Sequence, residues 1–320
     1  AEGALESAAG RWERLLADDI DDTQARAHLG RIRPAVPSPL RAGAVPAGAT
    51  ATLISPEGVD TLRYRLVREI GRGATATVYL ARDEALDLPV ALKILHPQLA
   101  AGPLGRFLAG ARLLAGLRHP GVVAVYDVDE RARALAMEWI AGGTLRARLA
   151  AYPEGLTADE VAATARALLD ALGFLHGRGI VHGDLKPSNL LWRAPGEVVL
   201  ADFGGAARAD RAAGATRLGE AGGTPLYLAP EQFQGAAASA KTDLYAAGAI
   251  LWEAATGRPL RSHADLLRAR PANAAAEAQA KADKHLRARV PAAAETILAL
   301  LDPSPSARSP WMPARPSSRY

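Results

Sequence analysis

Cysteine is missing from this sequence of 320 residues, which excludes a disulfide framework and a thiolate metal site. Long apolar runs are missing as well, because no apolar stretch reaches the roughly 18 residues that a membrane-spanning helix needs. A secretory signal has a basic start followed by an apolar stretch, and the first residues of this sequence lack that pattern. From these absences we predict a cytoplasmic protein without a membrane span.

An excess of charge of one sign is also lacking, since 38 lysines and arginines stand against 34 acids and the net charge is +4. Acids and bases are interspersed, and no basic block stands beside clustered aromatic residues. We therefore predict a solvated surface and no nucleic-acid partner. Lysine is scarce, with only 5 among the 38 basic residues, so a lysine inside an apolar segment needs a chemical explanation.

The distribution of residue types divides the chain into four parts. Residues 1–30 carry leucines and a tryptophan among charges, as an amphipathic helical segment does. Residues 31–60 are rich in proline, alanine and glycine and are predicted to be a linker. Residues 61–310 have the pattern of a compact domain, and residues 311–320 form a proline-rich tail. We expect residues 1–60 to contact a partner or to belong to a further domain.

Within residues 61–310 the predicted elements change from strands to helices near residue 140. Short segments with β-branched residues predict five strands, and RFLAGARLLAGLR has apolar residues at helical spacing. Thr157 followed by Glu160 forms a capping-box pattern ahead of a helix. DLYAAGAILWEAATG and PAAAETILALLD are predicted to be buried helices. The expected fold class is α+β, with a strand-rich part at 61–140 and a helix-rich part at 141–310.

A glycine-rich segment, GRGATATV at residues 71–78, lies between the first two predicted strands. Glycine allows a backbone to approach phosphate groups, because no Cβ stands in the way. An ordinary glycine-rich hairpin has the same composition, so the segment alone leaves both interpretations open. A strand follows it where a dinucleotide-binding fold would have a helix, which argues against that fold.

A lysine, Lys93, stands in the apolar segment PVALKIL, 20 residues after Gly73. A charged group in such a strand costs free energy unless an anion or a partner meets it. A lysine at a sheet edge that points to solvent is the alternative explanation. Its occurrence after the glycine-rich segment favours a role in binding phosphate groups.

The segment VHGDLKPSNLL at residues 181–191 places three polar side chains between apolar runs. Asp184 can accept a proton from an attacking hydroxyl group, and Lys186 can neutralise a phosphoryl group during transfer. The side-chain oxygen of Asn189 suits Mg²⁺, and Asp202 in ADFGG is a second candidate ligand. A charged surface turn is the plainer explanation, but it does not account for the apolar segments on both sides.

Together these segments resemble the protein kinase family. The glycine-rich loop, VALK, HGDLKPSN, DFG and APE occur in the family's order over about residues 62–310. The resemblance implies a bilobal protein-kinase-like fold, with a small β-rich lobe and a larger helical lobe. It also implies ATP and Mg²⁺ as cofactors and proteins with serine or threonine hydroxyls as substrates. Lys186 and Thr224 match the serine/threonine branch better than the tyrosine branch.

The resemblance implies roles for individual residues. Asp184 would be the catalytic base, Lys186 would assist it, and Lys93 would hold the α- and β-phosphates. Asn189 and Asp202 would hold Mg²⁺. The residues expected to contact the nucleotide are Ile70, Gly71, Arg72, Gly73, Ala74, Val78, Ala91, Lys93, Met137, Glu138, Ile140 and Leu191.

The resemblance also implies contacts that stabilise the helical part. Glu231 would pair with Arg308, and Asp243 would support the catalytic loop. Gly183 stands where the family often has an arginine that meets a phosphate on the activation loop. We therefore do not expect phosphorylation of that loop to switch the protein on.

The departure with the largest consequence is Gly110, where the family usually has a glutamate that pairs with Lys93. No aspartate or glutamate occurs between Asp87 and Asp127. The missing carboxylate leaves a pseudokinase or nucleotide-binding scaffold as an alternative, although the retained phosphate and metal residues favour a kinase, if a weak one. Small-molecule phosphotransferases also carry HGD, but KPSN, DFG and GTPLYLAPE favour the protein kinase branch. Ala76 replaces the third loop glycine, which is a mild change.

Overall fold

The structure, a computed structural model, describes residues 63–73, 75–97, 101–194, 196–208, 225–261 and 286–308. The predicted helical segment 1–30, the linker 31–60 and the tail 311–320 lie outside these residues, as do Ala74 and Thr224. The chain forms two compact units. The first contains the described residues up to Leu104 together with Tyr126–Trp139. The second contains Gly105–Val125 and the described residues from Ile140 onward.

The first unit is built on a five-stranded sheet. Its strands are β1 (Tyr64–Arg72), β2 (Ala76–Asp83), β3 (Leu88–Leu95), β4 (Val125–Asp129) and β5 (Ala134–Glu138). The order across the sheet is β1-β2-β3-β5-β4, and the pairs β1–β2, β2–β3 and β3–β5 are antiparallel. All five strands fall within segments whose β-branched residues predict strands, so this part of the prediction is confirmed.

Side chains of β3 alternate between the two faces of the sheet, because successive residues of a strand point to opposite sides. Val90, Leu92 and Ile94 are buried on one face and belong to a hydrophobic cluster. The members of this cluster are Tyr64, Ala81, Val90, Leu92, Ile94, Ala132, Ala134 and Ala136. Ala91 and Lys93 lie on the opposite face, which we call the Lys93 face of the sheet.

A buried carboxylate fixes the turn between β2 and β3. Asp83 is fully buried, and its Oδ1 accepts hydrogen bonds from the N–H groups of Ala85 and Leu86 at 3.0 and 3.1 Å. Its Oδ2 accepts from Nε and Nη2 of Arg63 at 3.3 and 3.2 Å. A buried charge is tolerated when it is paired and hydrogen-bonded in this way. The guanidinium of Arg63 also pairs with Asp127, which connects β4 to the residue before β1.

The first helix, α1 (Ala101–Leu114), contains no acidic residue. Its buried residues recur at intervals of three and four, which places them on one side of the helix. They are Phe107, Gly110, Ala111 and Leu114. The sequence pattern groups this helix with the strand-rich part, whereas from Gly105 on it belongs to the second unit. The packing of the buried side explains this assignment.

The second unit is mainly helical. Besides α1, its described helices are α2 (Leu145–Ala151), α3 (Ala158–His176), α4 (Pro230–Phe233), α5 (Ala240–Thr256) and α6 (Pro291–Leu300). Nearly every residue of α5 is buried, and this helix packs against α3 and α6. A sheet in one unit and helices in the other confirm the predicted α+β class. None of the helices in the described ranges is both long and apolar enough to cross a membrane.

Helix α3 begins with the predicted capping box. The hydroxyl of Thr157 accepts the N–H of Glu160 at 3.3 Å, and the carboxylate of Glu160 accepts the N–H of Thr157 at 3.1 Å. The pair satisfies two N–H groups that have no partner within the helix. Glu160 also forms an ion pair with Arg148 of α2. The capping prediction is therefore confirmed, and the same carboxylate joins two helices.

Two small antiparallel strand pairs position the segments that carry Asp184, Asn189 and Asp202. Strand β6 (Ile180–Val181) pairs with β9 (Ala207–Arg208), and β7 (Leu190–Ala194) pairs with β8 (Glu197–Leu200). We call residues 182–189, between β6 and β7, the catalytic-loop segment. We call residues 201–206, between β8 and β9, the DFG turn. Since the flanking strands pair, both ends of one segment lie beside the ends of the other.

Far along the chain, the predicted pair of Glu231 and Arg308 is present. Arg308 is fully buried, and its Nη1 and Nη2 atoms donate to Oε1 and Oε2 of Glu231 at 2.6 and 2.9 Å. Two parallel hydrogen bonds to one carboxylate are the strong form of such a pair. The pair fixes the start of α4 to the last described residues, and this prediction is confirmed.

Candidate active site

The Lys93 face of the sheet carries, in two neighbouring rows, residues that are predicted to contact the nucleotide. Residues that stand opposite each other in antiparallel strands lie on the same side of a sheet. Val78 is opposite Lys93, and Ala91 is opposite Met137. Ala91 and Lys93 are two positions apart in β3, so both pairs lie on one face. The register therefore brings together four residues that the sequence places far apart.

The glycine-rich loop lies at the β1–β2 end of these rows. Gly71 is opposite Val78, and Ile70 lies at an irregularity in the pairing of the two strands. The N–H of Gly73 donates to the carbonyl of Ala76 at 2.8 Å and closes the turn. A Cβ placed on Gly71 would meet no atom within 4 Å. Packing of the described residues therefore does not require glycine at position 71.

The other predicted nucleotide residues are distributed over both units. Arg72 is exposed, and its Nε donates to Glu69 at 3.0 Å. This hydrogen bond raises the pKa of Arg72, so its charge is permanent and engaged by a neighbour. Glu138 ends β5 in the first unit, whereas Ile140 and Leu191 belong to the second. Ile140 is buried, and Leu191 lies in β7.

A buried carboxylate holds the start of the catalytic-loop segment. Asp243 in α5 is 1% exposed, and it accepts the N–H groups of His182 and Gly183, each at 2.9 Å. Gly183 has a φ of 77°, a backbone conformation that residues with a side chain rarely adopt. With this conformation at Gly183, the N–H groups of two successive residues both donate to the Asp243 carboxylate. The predicted support from Asp243 is confirmed.

Three polar side chains meet further along the catalytic-loop segment. The Oδ2 atom of Asp184 lies 3.3 Å from Nζ of Lys186 and 3.3 Å from Nδ2 of Asn189. The same Nδ2 donates to the carbonyl of Asp184 at 2.8 Å. Lys186 and Asn189 are buried, whereas part of the Asp184 carboxylate is accessible. These contacts orient the carboxylate through its Oδ2 atom.

Asp202 opens the DFG turn directly after β8. Its φ of 60° is in the left-handed region, which costs free energy for a residue with a side chain. Its Oδ1 accepts the N–H of Gly204 at 3.4 Å. The N–H of Ala201 donates to the carbonyl of Asn189 at 2.9 Å and connects the DFG turn with the catalytic-loop segment. The two predicted metal ligands therefore belong to segments that are joined by a hydrogen bond.

The donor set of Asn189 and Asp202 fits Mg²⁺. Hard cations prefer oxygen ligands from carboxylates and amides. The Nδ2 atom of Asn189 is used by Asp184, so the amide oxygen is the atom that Asn189 offers to a cation. Asp202 is partly exposed and offers a carboxylate. Both oxygen types in the predicted pair are thus those that the cation requires.

A recess opens beside Asp184 within the second unit. Its walls include Leu185, Tyr227, Leu228 and Gln232. The hydroxyl of Tyr227 donates to Oε2 of Glu253 at 2.7 Å, and Oε1 of Glu253 accepts from Arg146 at 2.7 Å. Glu253 is buried, so one wall of the recess is fixed by a buried ion pair.

His176 is a member of the site that no sequence pattern indicates. Its Nε2 lies 2.9 Å from Oδ2 of Asp243, the carboxylate that holds the catalytic-loop segment. The two residues are 67 positions apart, and no motif or spacing rule connects them. The contact depends on the packing of α3 against α5, so only the tertiary structure reveals it.

The family comparison agrees with this geometry. The family model described as protein kinase domain matches residues 64–314, which is most of the chain. The chain therefore belongs to the protein kinase domain family. The resemblance carried by the glycine-rich loop, HGDLKPSN, DFG and APE is confirmed.

Several curated bacterial proteins are similar to this chain. The probable serine/threonine-protein kinase pknA2 of Bifidobacterium longum is 39% identical over 203 residues, which cover 61% of this chain and 27% of that protein. The DNA damage-responsive serine/threonine-protein kinase RqkA of Deinococcus radiodurans is 40% identical over 203 residues, which cover 62% and 30%. Serine/threonine-protein kinase PknL of Mycobacterium tuberculosis is 41% identical over 199 residues, which cover 61% and 49%. The chain thus spans less than half the length of each of these relatives.

Proposed function

We propose that this chain transfers the γ-phosphoryl group of MgATP to serine and threonine hydroxyls of proteins. The observation that carries the proposal is the contact of Asp184 with Lys186 and Asn189, in a segment held by Asp243. Membership of the protein kinase domain family supports the same reaction. The three relatives named above are each called serine/threonine-protein kinases, which favours the serine/threonine branch.

Asp184 is the group to which we assign proton transfer. Its Oδ2 is engaged by two donors, so Oδ1 would accept the proton of the substrate hydroxyl. The hydroxyl oxygen would bond to the γ-phosphorus as the bond from that phosphorus to the bridging oxygen breaks and ADP leaves. The ammonium of Lys186 lies 3.3 Å from the same carboxylate and would stabilise negative charge on the transferred group. Base and cation next to each other allow proton removal and charge stabilisation at one place.

The remaining predicted residues would bind the nucleotide and its metal ion. Asn189 and Asp202 would hold Mg²⁺, which neutralises phosphate charge when it is bound. Lys93 would contact the α- and β-phosphates through its ammonium group. The glycine-rich loop would contribute Ile70, Gly71, Arg72, Gly73 and Ala74 to the phosphates. The adenine contacts on this assignment are Val78, Ala91, Met137, Glu138, Ile140 and Leu191.

The recess beside Asp184 supports a protein substrate rather than a small alcohol. It is lined by Tyr227 and Leu228. In the sequence these residues follow Gly-Thr-Pro at 223–225 and precede Ala-Pro-Glu at 229–231. These residues lie next to the proposed base, where a polypeptide substrate would present its hydroxyl. We place this activity in the cytoplasm, because ATP and Mg²⁺ are supplied there.

A transfer assay tests the proposal. The purified chain is incubated with Mg²⁺, a basic acceptor protein and ATP labelled on the γ-phosphate. We expect label on phosphoserine and phosphothreonine after acid hydrolysis, and no label when EDTA removes the metal. A parallel panel with aminoglycosides and choline as acceptors tests the small-molecule alternative, which labelled alcohols without labelled protein would support.

A binding measurement separates the scaffold alternative from a kinase. Thermal unfolding with and without MgATP reports nucleotide binding independently of transfer. Stabilisation by MgATP without any phosphoryl transfer to protein would contradict the proposed reaction and indicate a nucleotide-binding scaffold. Absence of both binding and transfer would contradict the proposed function altogether.

A further inference from the structure

Gly110 of α1 lies against the backbone of the DFG turn. An ideal Cβ on Gly110 would be 2.2 Å from the carbonyl oxygen of Phe203 and 3.0 Å from its carbonyl carbon. It would be 3.7 Å from the N of Gly204. Both distances to Phe203 are to backbone atoms, so no side chain can rotate away to make room. Any residue other than glycine would push the helix and the turn apart.

The contact is specific to this position of the helix. Gly105, also in α1, is exposed, and a Cβ placed there would meet no atom within 4 Å. Helix propensity disfavours both glycines to a similar extent, so propensity does not explain why one of them is buried. Phe107, Ala111 and Leu114 are buried on the same side of α1 as Gly110. Gly110 therefore lies on the packed side of α1, at a position where a Cβ would overlap the Phe203 carbonyl.

Phe203 in turn contacts both segments of the proposed site, the DFG turn and the catalytic-loop segment. The carbonyl of Phe203 accepts the N–H of Ala206 at 3.0 Å, which closes the DFG turn. The ring of Phe203 is buried and packs on the ring of His182, with centroids 4.6 Å apart. The Nδ1 atom of His182 accepts the N–H of Asp184 at 3.3 Å. A displaced Phe203 would therefore disturb the segment of Asp202 and the segment of Asp184.

The conformation of Asp202 makes this contact more important. A residue with a side chain stays at a φ of 60° only when its surroundings hold it there. The next residue, Phe203, is fixed by its ring on one side and by α1 on the other. The helix contact is thus one of the constraints that keep Asp202 in its strained conformation.

We propose that Gly110 is a positioning residue for phosphoryl transfer: its missing side chain lets α1 lie on the Phe203 carbonyl and so holds Asp202 in place. This inference rests on the proposed kinase function. The helix makes this contact through its backbone and needs no carboxylate for it. A glutamate introduced at position 110 is therefore expected to lower the rate, although the family pattern alone suggests a gain.

Paired glycine substitutions in the same helix test the inference. Gly110→Ala and Gly110→Glu are compared with Gly105→Ala and Gly105→Glu, which add the same atoms where there is room. We expect both changes at 110 to lower kcat at least tenfold and to raise the Mg²⁺ concentration for half-maximal rate at least threefold. KM for ATP should change less than threefold, because the Lys93 face is unaltered. The changes at 105 should leave all three quantities within twofold.

Hydrogen exchange of the nucleotide-free protein gives a readout that does not depend on activity. We expect Gly110→Ala to accelerate exchange of the Ala206 amide, which donates to Phe203, whereas Gly105→Ala should not. If Gly110→Ala fails to fold, Leu114→Ala replaces it, since it loosens the same buried side by removing atoms. Faster exchange in α1 without faster exchange in residues 201–206 would overturn the inference.

The outcomes distinguish this inference from the proposed function. If neither the wild type nor Gly105→Ala transfers phosphate, the proposed function fails, and the exchange data still decide whether Gly110 holds the DFG turn. Equal rates and equal exchange for the 110 and 105 variants would overturn the inference. A faster Gly110→Ala or Gly110→Glu enzyme would overturn it as well, because the contact would then hold the turn in an unproductive position.

Discussion

Asp83 in the first unit and Asp243 in the second are two buried carboxylates with the same kinds of partner. Each accepts two backbone N–H groups, from its own turn for Asp83 and from a distant segment for Asp243, and each contacts one basic side chain. For Asp83 the basic side chain is Arg63, which is always charged. For Asp243 it is His176, which contacts the carboxylate through Nε2.

The two carboxylates differ in what they hold. Asp83 fixes a hairpin turn that carries no candidate site residue, whereas Asp243 fixes the segment that carries Asp184. Burial and hydrogen bonding set the free-energy cost of losing either carboxylate. Because Asp83 lies away from the site and Asp243 supports it, we expect this cost as lost folding stability for Asp83 and as a lower transfer rate for Asp243. Substitutions at both positions, and at a more exposed carboxylate, test this distinction.

The largest effect is expected for Asp243→Asn. An amide keeps one acceptor oxygen but turns an NH₂ group toward one of the two N–H donors, which loosens the catalytic-loop segment. If the loosened segment raises the activation free energy of transfer by about 3 kcal/mol, the rate falls about 100-fold. The measurement is kcat per folded molecule, at a temperature well below the unfolding transition. A rate within threefold of wild type would show that the segment does not depend on this carboxylate.

A smaller effect, and one of a different kind, is expected for Asp83→Asn. The variant loses the charge partner of Arg63 inside the first unit, so we expect unfolding free energy to fall by about 2 kcal/mol. Turnover of the folded molecules should stay within twofold of wild type. Urea unfolding and a rate measurement check both statements. Asp127→Asn is the matched control: it removes the other, more exposed partner of Arg63, and should cost at most about 1 kcal/mol.

The smallest effect is expected for Glu160, a carboxylate that is less buried than the other two. Burial acts to raise its pKa, but hydrogen bonds from Arg148 and Thr157 outweigh this, and the pKa of folded Glu160 lies below its ordinary value. The stabilisation is therefore complete above the pKa of the unfolded chain and is lost as pH falls through the lower folded value. We expect Glu160→Gln to cost about 1 kcal/mol near neutral pH.

The pH dependence supplies the control for that variant. Unfolding free energy of wild type and Glu160→Gln is measured from pH 7 down to acid conditions below the ordinary range of a glutamate pKa. The difference between the two proteins should shrink as the pH falls, because Glu160 then loses its charge in the wild type also. A difference that stays constant with pH would contradict the assignment of the effect to the ionised carboxylate.

Local features of this fold could be predicted from the sequence. The capping box at Thr157 and Glu160, and the grouping of Asp184, Lys186 and Asn189, involve residues only a few positions apart. The strands of the first unit also follow from local pattern, because β-branched residues and turn signals are read within short windows. Family resemblance extended the prediction to the distant pair of Glu231 and Arg308.

Two features of the site could not be predicted because they depend on packing between elements remote in sequence. His176 meets Asp243 only where α3 packs on α5. At Gly110 the sequence indicates a missing carboxylate, but the reason for glycine is the distance between α1 and the Phe203 carbonyl. That distance cannot be obtained from a periodicity or a motif. The sequence therefore indicates a missing ion-pair partner at position 110, whereas the structure shows a close helix-to-backbone contact there.

The most direct test of the account is phosphoryl transfer by Asp184→Asn beside the wild type, with the affinity for MgADP measured on both proteins. A base that accepts the substrate proton contributes at least about 100-fold to the rate, whereas the nucleotide does not need it to bind. We predict a transfer rate more than 100-fold lower and an MgADP affinity within threefold. Transfer by the variant within tenfold of wild type would contradict the assignment of Asp184 as the base, and with it the central claim.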